Sequence, residues 1–243
     1  MNDLQEYFEN NEHGDMIYKW THSFEVYERH LSRFRGTDVG ILEIGVAEGG
    51  SLKMWADYFG SDAKVYGIDI KPECKQADNK QIKVFIGSQT DKYFLYDVAS
   101  HIPKIDIVID DGGHHMDQMR CSFEVFYPLI SPDGVYVCED TFLCYHEGHG
   151  GGYLSENSFI EYSKNFIDYL HKWKYKWDPE KVGTVYPIEF RDQTWSVHFY
   201  PNIMLVEKRA MSMPVSKKKG DMRTECPDSW SIETMDGLRR PYS

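Results

Sequence analysis

Long apolar runs are missing from this chain of 243 residues. Nothing approaches the ~18 consecutive apolar residues that a membrane span requires, so none is expected. The first residues, Met1-Asn2-Asp3-Leu4-Gln5-Glu6, show no basic stretch followed by an apolar one, which predicts no export signal. Basic charge is also scarce. With 27 Lys and Arg against 39 Asp and Glu, the net charge of −12 disfavours a phosphate-tracking surface, and no nucleic-acid partner is expected. Cysteines are few: Cys74, Cys121, Cys138, Cys144 and Cys226 are odd in number and form no Cys-x-x-Cys pair. That argues against a zinc site or a disulfide framework and predicts a cytoplasmic protein. Cys144 reads as a small buried thiol rather than a nucleophile.

What the chain does have is a succession of short apolar runs separated by helical segments. Val39–Gly45, Ala63–Ile68, Ile82–Ile86, Ile105–Ile109 and Gly134–Cys138 read as five buried strands, each ending in glycine or polar residues. This alternation predicts an α/β fold with a doubly wound, mostly parallel sheet. Met16 to Arg35 carries Tyr18, Phe24, Tyr27, Leu31 and Phe34 at near-helical spacing and predicts one amphipathic helix. Ser51–Tyr58 and Ser158–Lys174 are further helices. Val185–Phe190 and Val197–Val206 predict two strands joined by Arg191-Asp192-Gln193-Thr194 in an antiparallel hairpin at the sheet edge. The glycine-rich stretch His146–Tyr153 predicts a mobile loop. The expected domains are an N-terminal helical extension (1–36), a catalytic domain (37–210) and an irregular tail (211–243).

Two acidic clusters carry the chemistry. Ile109-Asp110-Asp111-Gly112-Gly113-His114-His115 and Cys138-Glu139-Asp140-Thr141 each follow a buried run, and twenty-eight positions separate Asp111 from Glu139. Parallel neighbouring strands bring both to the carboxyl edge of the sheet, where open α/β sheets bind ligands. Crowded carboxylates there repel one another unless a hard cation neutralises them, and magnesium suits an all-oxygen set. The expected ligands are Asp111, Glu139 and Asp140, with His114 beside them as the catalytic base. Asp110 either lines the cofactor pocket or caps its strand, and His115 reads as a neighbour rather than a second base.

The turn Glu43-Ile44-Gly45-Val46-Ala47-Glu48-Gly49-Gly50-Ser51 joins a strand to a helix and lets backbone amides approach a ligand. As Gly45-x-Ala47-x-x-Gly50 it mimics a dinucleotide fingerprint, with Asp69 placed to hold a ribose; a nicotinamide-dependent oxidoreductase is therefore one reading. As Glu43-x-Gly45-x-Ala47-x-Gly49 it resembles the first motif of class I S-adenosylmethionine-dependent methyltransferases. Taken with Gly67-Ile68-Asp69, both acidic segments and Ser196-Val197-His198-Phe199-Tyr200, the chain from Ile17 to Lys208 resembles the metal-dependent O-methyltransferases of macrolide deoxysugars, the macrocin and mycinamicin type, and the related cephalosporin-cluster proteins. Ala47, where a glycine is common, and Gly113, where a serine is frequent, depart from the pattern.

The resemblance implies a seven-stranded Rossmann-like methyltransferase sheet with a C-terminal antiparallel hairpin. It implies S-adenosylmethionine and Mg2+ as cofactors, Asp111, Glu139 and Asp140 on the metal, and His114 as base. The acceptor it implies is a small molecule, a hydroxyl of a sugar, glycoside or similar polyol. On the cofactor side, Gly45 and Ala47 pass the methionine moiety, Glu43 reaches its ammonium through water, and Ser51 holds its carboxylate. Asp69 takes the ribose hydroxyls, while Ser88 or Gln89 meets the adenine edge and Asp110 lies close by. Candidates for the acceptor wall are Lys19, Trp20, His22, Tyr27 and His30, with Tyr145, His146, His149 and Tyr153; His198 and Tyr200 read as core or interface groups. A homo-oligomer is expected. A catechol or phenol acceptor and a non-catalytic adenosine-ligand binding protein are the alternatives.

Overall fold

Buried strands at the middle of a parallel sheet have no polar face, and that is how Gly40–Ile44 (β1), Ile107–Asp110 (β4) and Val135–Cys138 (β5) are built: every residue in them is buried. The computed structural model describes residues 2–171, 190–210, 217, 219 and 220. Together with Lys64–Asp69 (β2), Ile82–Ile86 (β3), Thr194–Tyr200 (β6) and Ile203–Lys208 (β7), these strands form a seven-stranded sheet in the order β3-β2-β1-β4-β5-β7-β6. The first five are parallel, and β7 runs antiparallel to both β5 and β6. The expected fold class holds.

Alternation along the strands divides the core in two. On one face Leu42, Ile44, Ile68 and Val108 pack with α4 (Lys92–Ser100), α5 (Met116–Phe126) and α6 (Phe159–Leu170). On the other, Ile41, Val65, Ile107 and Ile109 pack with α1 (Asp3–Glu9), α2 (Ser23–Leu31) and α3 (Gly50–Phe59). The first core centres on Phe123, whose ring meets Tyr127, Tyr136, Phe159 and Phe166 at centroid separations of 4.9, 5.0, 6.0 and 5.0 Å. Such pairs contribute about 0.5–1.5 kcal/mol each beyond their burial. The helix starts follow local chemistry: Asp91 accepts from the Tyr93 and Phe94 amides, and Ser158 from Glu161.

Three expectations are corrected, and one helix is added. The helix read over Met16–Arg35 is only Ser23–Leu31, followed by a 3-10 turn at Ser32–Phe34, and Ile17–Trp20 is irregular. Tertiary contacts override periodicity there, because Lys19 is drawn beneath the sheet edge while Tyr18 turns to solvent. Asp3–Glu9, unforeseen, is a helix capped by Asn2. The hairpin joins β6 to β7 through Pro201-Asn202, with Asn202 in the left-handed conformation (φ 64°) that asparagine tolerates, whereas Phe190–Gln193 is a helical turn (α7). The first strand of the expected hairpin, Val185–Phe190, lies outside the described residues except for Phe190, and so does nearly all of the tail. Finally, the glycine-rich stretch His146–Tyr153 is not wholly irregular: Glu147–His149 is a 3-10 turn, preceded by another at Thr141–Tyr145.

The sheet edge is fastened to α2 by Glu207. Its Oε1 faces His30 Nδ1 at 3.1 Å and accepts from Arg33 Nη1 at 3.0 Å, and its Oε2 accepts from Ser196 Oγ at 3.0 Å. His30, then Arg33 and Ser196, outweigh partial burial and hold the carboxyl down at about 2. A depressed carboxyl stabilises the fold above its unfolded value of about 4.5, and the contribution vanishes as pH falls toward 2. Glu207→Gln is therefore expected to cost about 1–3 kcal/mol at pH 7 and little near pH 2, read from urea unfolding across that window. A difference that does not shrink in acid rejects the linkage.

Candidate active site

The carboxyl ends of β1, β2, β4 and β5 open into a cleft of ≈ 480 Å³, of a size suited to a small ligand. One wall is the turn after β1. Gly45 has φ +93°, and a Cβ there would fall 2.0 Å from the Asp111 carbonyl oxygen, so only glycine lets the two strand ends lie together. Ala47 follows with φ 48°. Asp69 braces this turn: its Oδ2 accepts from the Val46 and Ala47 amides at 2.9 and 3.1 Å, and its Oδ1 from Lys71 at 2.9 Å. Burial opposes the charge, but the three amides win and keep the carboxyl below its ordinary value. Gly45, Ala47, Ser51, Asp69, Ser88 and Gln89 all line the cleft.

Two expected cofactor residues sit behind that wall. Glu43 is fully buried, accepting from Ser51 Oγ at 2.6 Å, Trp55 Nε1 at 3.2 Å and Lys19 Nζ at 3.3 Å. Asp110 is buried as well, accepting from Tyr136 Oη at 2.9 Å and Gln89 Nε2 at 3.2 Å; burial raises it to about 7. Of the two readings for Asp110, the geometry favours the internal one. It holds Gln89, whose Oε1 takes the Gly113 amide at 2.9 Å and thereby shapes the loop that presents His114.

The floor is the acidic cluster. His114 Nε2 lies 3.4 Å from Asp140 Oδ2 and 3.9 Å from Asp111 Oδ1, and one ligand atom from each of these three residues falls within 4.8 Å of the others. Both His114 (φ 56°) and Asp140 (φ 52°) hold left-handed backbone conformations. Such strain costs about 1–3 kcal/mol per residue and persists where the surrounding structure imposes it, most often at functional sites. Glu139 turns inward instead, its Oε1 accepting from Lys19 Nζ at 2.9 Å. Lys19 Nζ also meets Asp111 Oδ2 at 2.5 Å.

Three carboxylates (Glu43, Asp111, Glu139) thus meet one ammonium, and the fourth, Asp140, lies beside Trp20 and His114. Burial, with their mutual repulsion, lifts Asp111 to about 6 and Glu139 to about 7 against the pull of Lys19. A cluster so short of positive charge, offering oxygen donors with an imidazole at its border, fits a hard divalent cation. Burial lowers the His114 pKa against the opposing pull of Asp140 and Glu139, so the ring is neutral near pH 7 and free to accept a proton.

The acceptor-wall candidates separate. Lys19 and Trp20 line the cleft, Tyr27 is core, and His30 lies at the sheet edge with Glu207 and Tyr200. His22 meets the Pro201 carbonyl; Tyr145, His146 and Tyr153 are exposed and, like His149, stand outside the cleft lining. His198 and Tyr200 pack on His30, as read. Cys144 is buried and its thiol pushed up to about 11, an inert group. Unforeseen are Ile17, Ile70 and Gln118, which also line the cleft. Gln118 was legible: its Oε1 accepts from the His115 amide three residues back, the capping-box spacing.

Residues 42–141 match the family described as a methyltransferase domain. The chain is 36% identical over 205 residues to the 8-demethyl-8-alpha-L-rhamnosyl tetracenomycin-C 2'-O-methyltransferase of Streptomyces olivaceus, covering 80% of this chain and 52% of that protein. It is 32% identical over 192 residues to the demethylmacrocin O-methyltransferase of Streptomyces fradiae, covering 75% of this chain and 47% of that one. Among solved structures, MycE from the mycinamycin biosynthetic pathway, in complex with Mg and SAH, superposes with a TM-score of 0.76 at 30% identity over 86% of this chain and 55% of MycE. The chain spans about half the length of the curated relatives it matches. Sequence, sheet order and site geometry agree: residues 42–141 match a methyltransferase-domain model, and the chain is similar to the macrocin and mycinamicin O-methyltransferases.

Proposed function

We propose that the chain transfers a methyl group from S-adenosylmethionine to a hydroxyl of a sugar, glycoside or similar polyol, with Mg2+ as the second cofactor and His114 as general base. One observation carries this reading: His114 Nε2 and the facing oxygens of Asp111 and Asp140 stand on the floor of the cleft whose wall is the Gly45–Ala47 turn and Asp69. The relatives support it, since those named above methylate glycosylated natural products and MycE holds Mg and SAH. All are methyltransferases, which displaces the nicotinamide reading.

Gly45, Ala47 and Ser51 would hold the methionine end, Asp69 the ribose, and Ser88 with Gln89 the adenine edge, while Glu43 and Asp110 brace them from behind. Asp111 and Asp140, with Glu139 beside them, would hold the metal. When bound, a divalent cation stabilises negative charge developing on the acceptor oxygen. The residues supply alignment and proton removal: a C–O bond forms as the sulfonium C–S bond breaks, and the hydroxyl proton passes to His114 Nε2. We assign residues 37–210 to the catalytic domain and 1–36 to an extension that completes the cleft through Lys19 and Trp20.

The test is release of S-adenosylhomocysteine with a panel of rhamnosyl and other glycosides bearing adjacent hydroxyls. Turnover is expected that EDTA abolishes and Mg2+ restores; full activity in chelator rejects the metal. Product from catechols alone would move the acceptor to the phenolic alternative. The four cysteines among the described residues are free and buried, which supports a cytoplasmic protein, and no helix among those residues is long and apolar enough to cross a membrane. Homo-oligomeric assembly is part of the same reading, and light scattering checks it.

A further inference from the structure

The carboxylates of the cleft floor are oriented from outside the sheet, by two consecutive residues on the irregular stretch ahead of α2. Lys19 Nζ occupies Asp111 Oδ2, and Trp20 Nε1 donates to Asp140 Oδ1 at 2.7 Å. Each aspartate therefore has one oxygen engaged from the N-terminal side and turns its other oxygen toward His114. The segment is seated firmly, because a Cβ at Gly50 would fall 2.4 Å from the Asp15 carbonyl oxygen and 2.5 Å from that of Met16. The Lys19 side chain is 2% exposed and bridges carboxylates from the ends of three strands, β1, β4 and β5. Three carboxylate oxygens within 3.3 Å hold the ammonium in place.

We infer that Lys19 is the resident cation of the acidic cluster, holding its carboxylates together and tempering their attraction for a divalent ion, and that Trp20 is a positioning residue that orients Asp140 for that ion. This rests on the metal-dependent reading above and adds to it a part that the strand-end motifs do not contain. The two neighbours should then act with opposite sign. Removing the fixed charge leaves the carboxylates more attractive to an incoming dication, whereas removing an orienting N–H at constant charge leaves them less well arranged.

The experiment is Mn2+ binding to the full chain, read by electron paramagnetic resonance without cofactor or acceptor. Lys19→Gln and Lys19→Met are expected to bind Mn2+ about tenfold more tightly than wild type, and Trp20→Phe about three- to tenfold more weakly. A purely structural role would weaken binding in all three. Unchanged or weaker affinity in both lysine variants overturns the inference. If they unfold without a cation, Mn2+ must restore their thermal transition, and failure to do so also overturns it. Should wild type bind no Mn2+ while Lys19→Gln does, the metal-dependent reading falls and Lys19 stands as the resident cation; no binding by either ends both.

Discussion

His114→Ala is expected to leave a folded chain that binds S-adenosylmethionine normally yet turns over about 10²- to 10⁴-fold more slowly, the usual worth of a positioned base. The loop that carries the imidazole is not held by the imidazole. Gln89 fixes it through the Gly113 amide, and a Cβ on Gly112 would meet Gln89 Oε1 at 2.1 Å, so the backbone is shaped from the sheet side. Alanine keeps the Cβ that the left-handed position already tolerates, and the change in stability should be small. Calorimetric titration of cofactor and steady-state release of S-adenosylhomocysteine separate the two effects. Turnover close to that of wild type would remove His114 from the chemistry, and equal loss of cofactor binding would make its role structural.

Asp111→Asn should be the second severe variant, for two reasons that add. It strips charge from the carboxylate whose two oxygens face opposite ways, one toward Lys19 and one toward His114. Divalent-cation affinity is expected to fall about 100-fold or more, with turnover falling in step. The buried Lys19 ammonium also loses one of three counter-charges, which should lower the unfolding free energy by about 1–3 kcal/mol. In a chain of this size that is a drop of several degrees in Tm. Mn2+ titration and thermal unfolding read the two losses separately. Asp110→Asn is the control one residue away: its carboxyl titrates near 7, donor groups from Tyr136 and Gln89 satisfy it, and it faces away from the cleft. Cation affinity within about threefold of wild type is expected there. If Asp110→Asn abolishes cation binding and Asp111→Asn spares it, the assignment of the pair is reversed.

That pair shows how far local pattern reaches. Two adjacent aspartates at the end of a buried run announce a strand edge, but the register decides which one is inside. Asp110 still pairs with Ile44 and Cys138 within the sheet, and Asp111 is the first residue beyond it. Gly45 and Asp69 were legible because a tight strand-to-helix turn needs a small residue and the neighbouring strand must end beside it. The hairpin was misplaced for a related reason. Apolar runs give no polarity of pairing, and Pro201-Asn202 is a weaker turn signal than the longer polar stretch Arg191–Thr194 that drew the expectation.

By itself the sequence determined the class of fold and the contents of the floor: five short apolar runs with helical spacers allow little except a parallel sheet, and acids placed just past two of those runs must meet at its carboxyl edge. Only the tertiary structure decided that Glu139 points inward, that the acids carry their own ammonium, and that Lys19 and Trp20 orient Asp111 and Asp140. The reason is one of range. Strand and helix patterns arise between residues a few positions apart, whereas the ion pairs of Lys19 span 24, 92 and 120 positions and exist only once the sheet has brought their partners together.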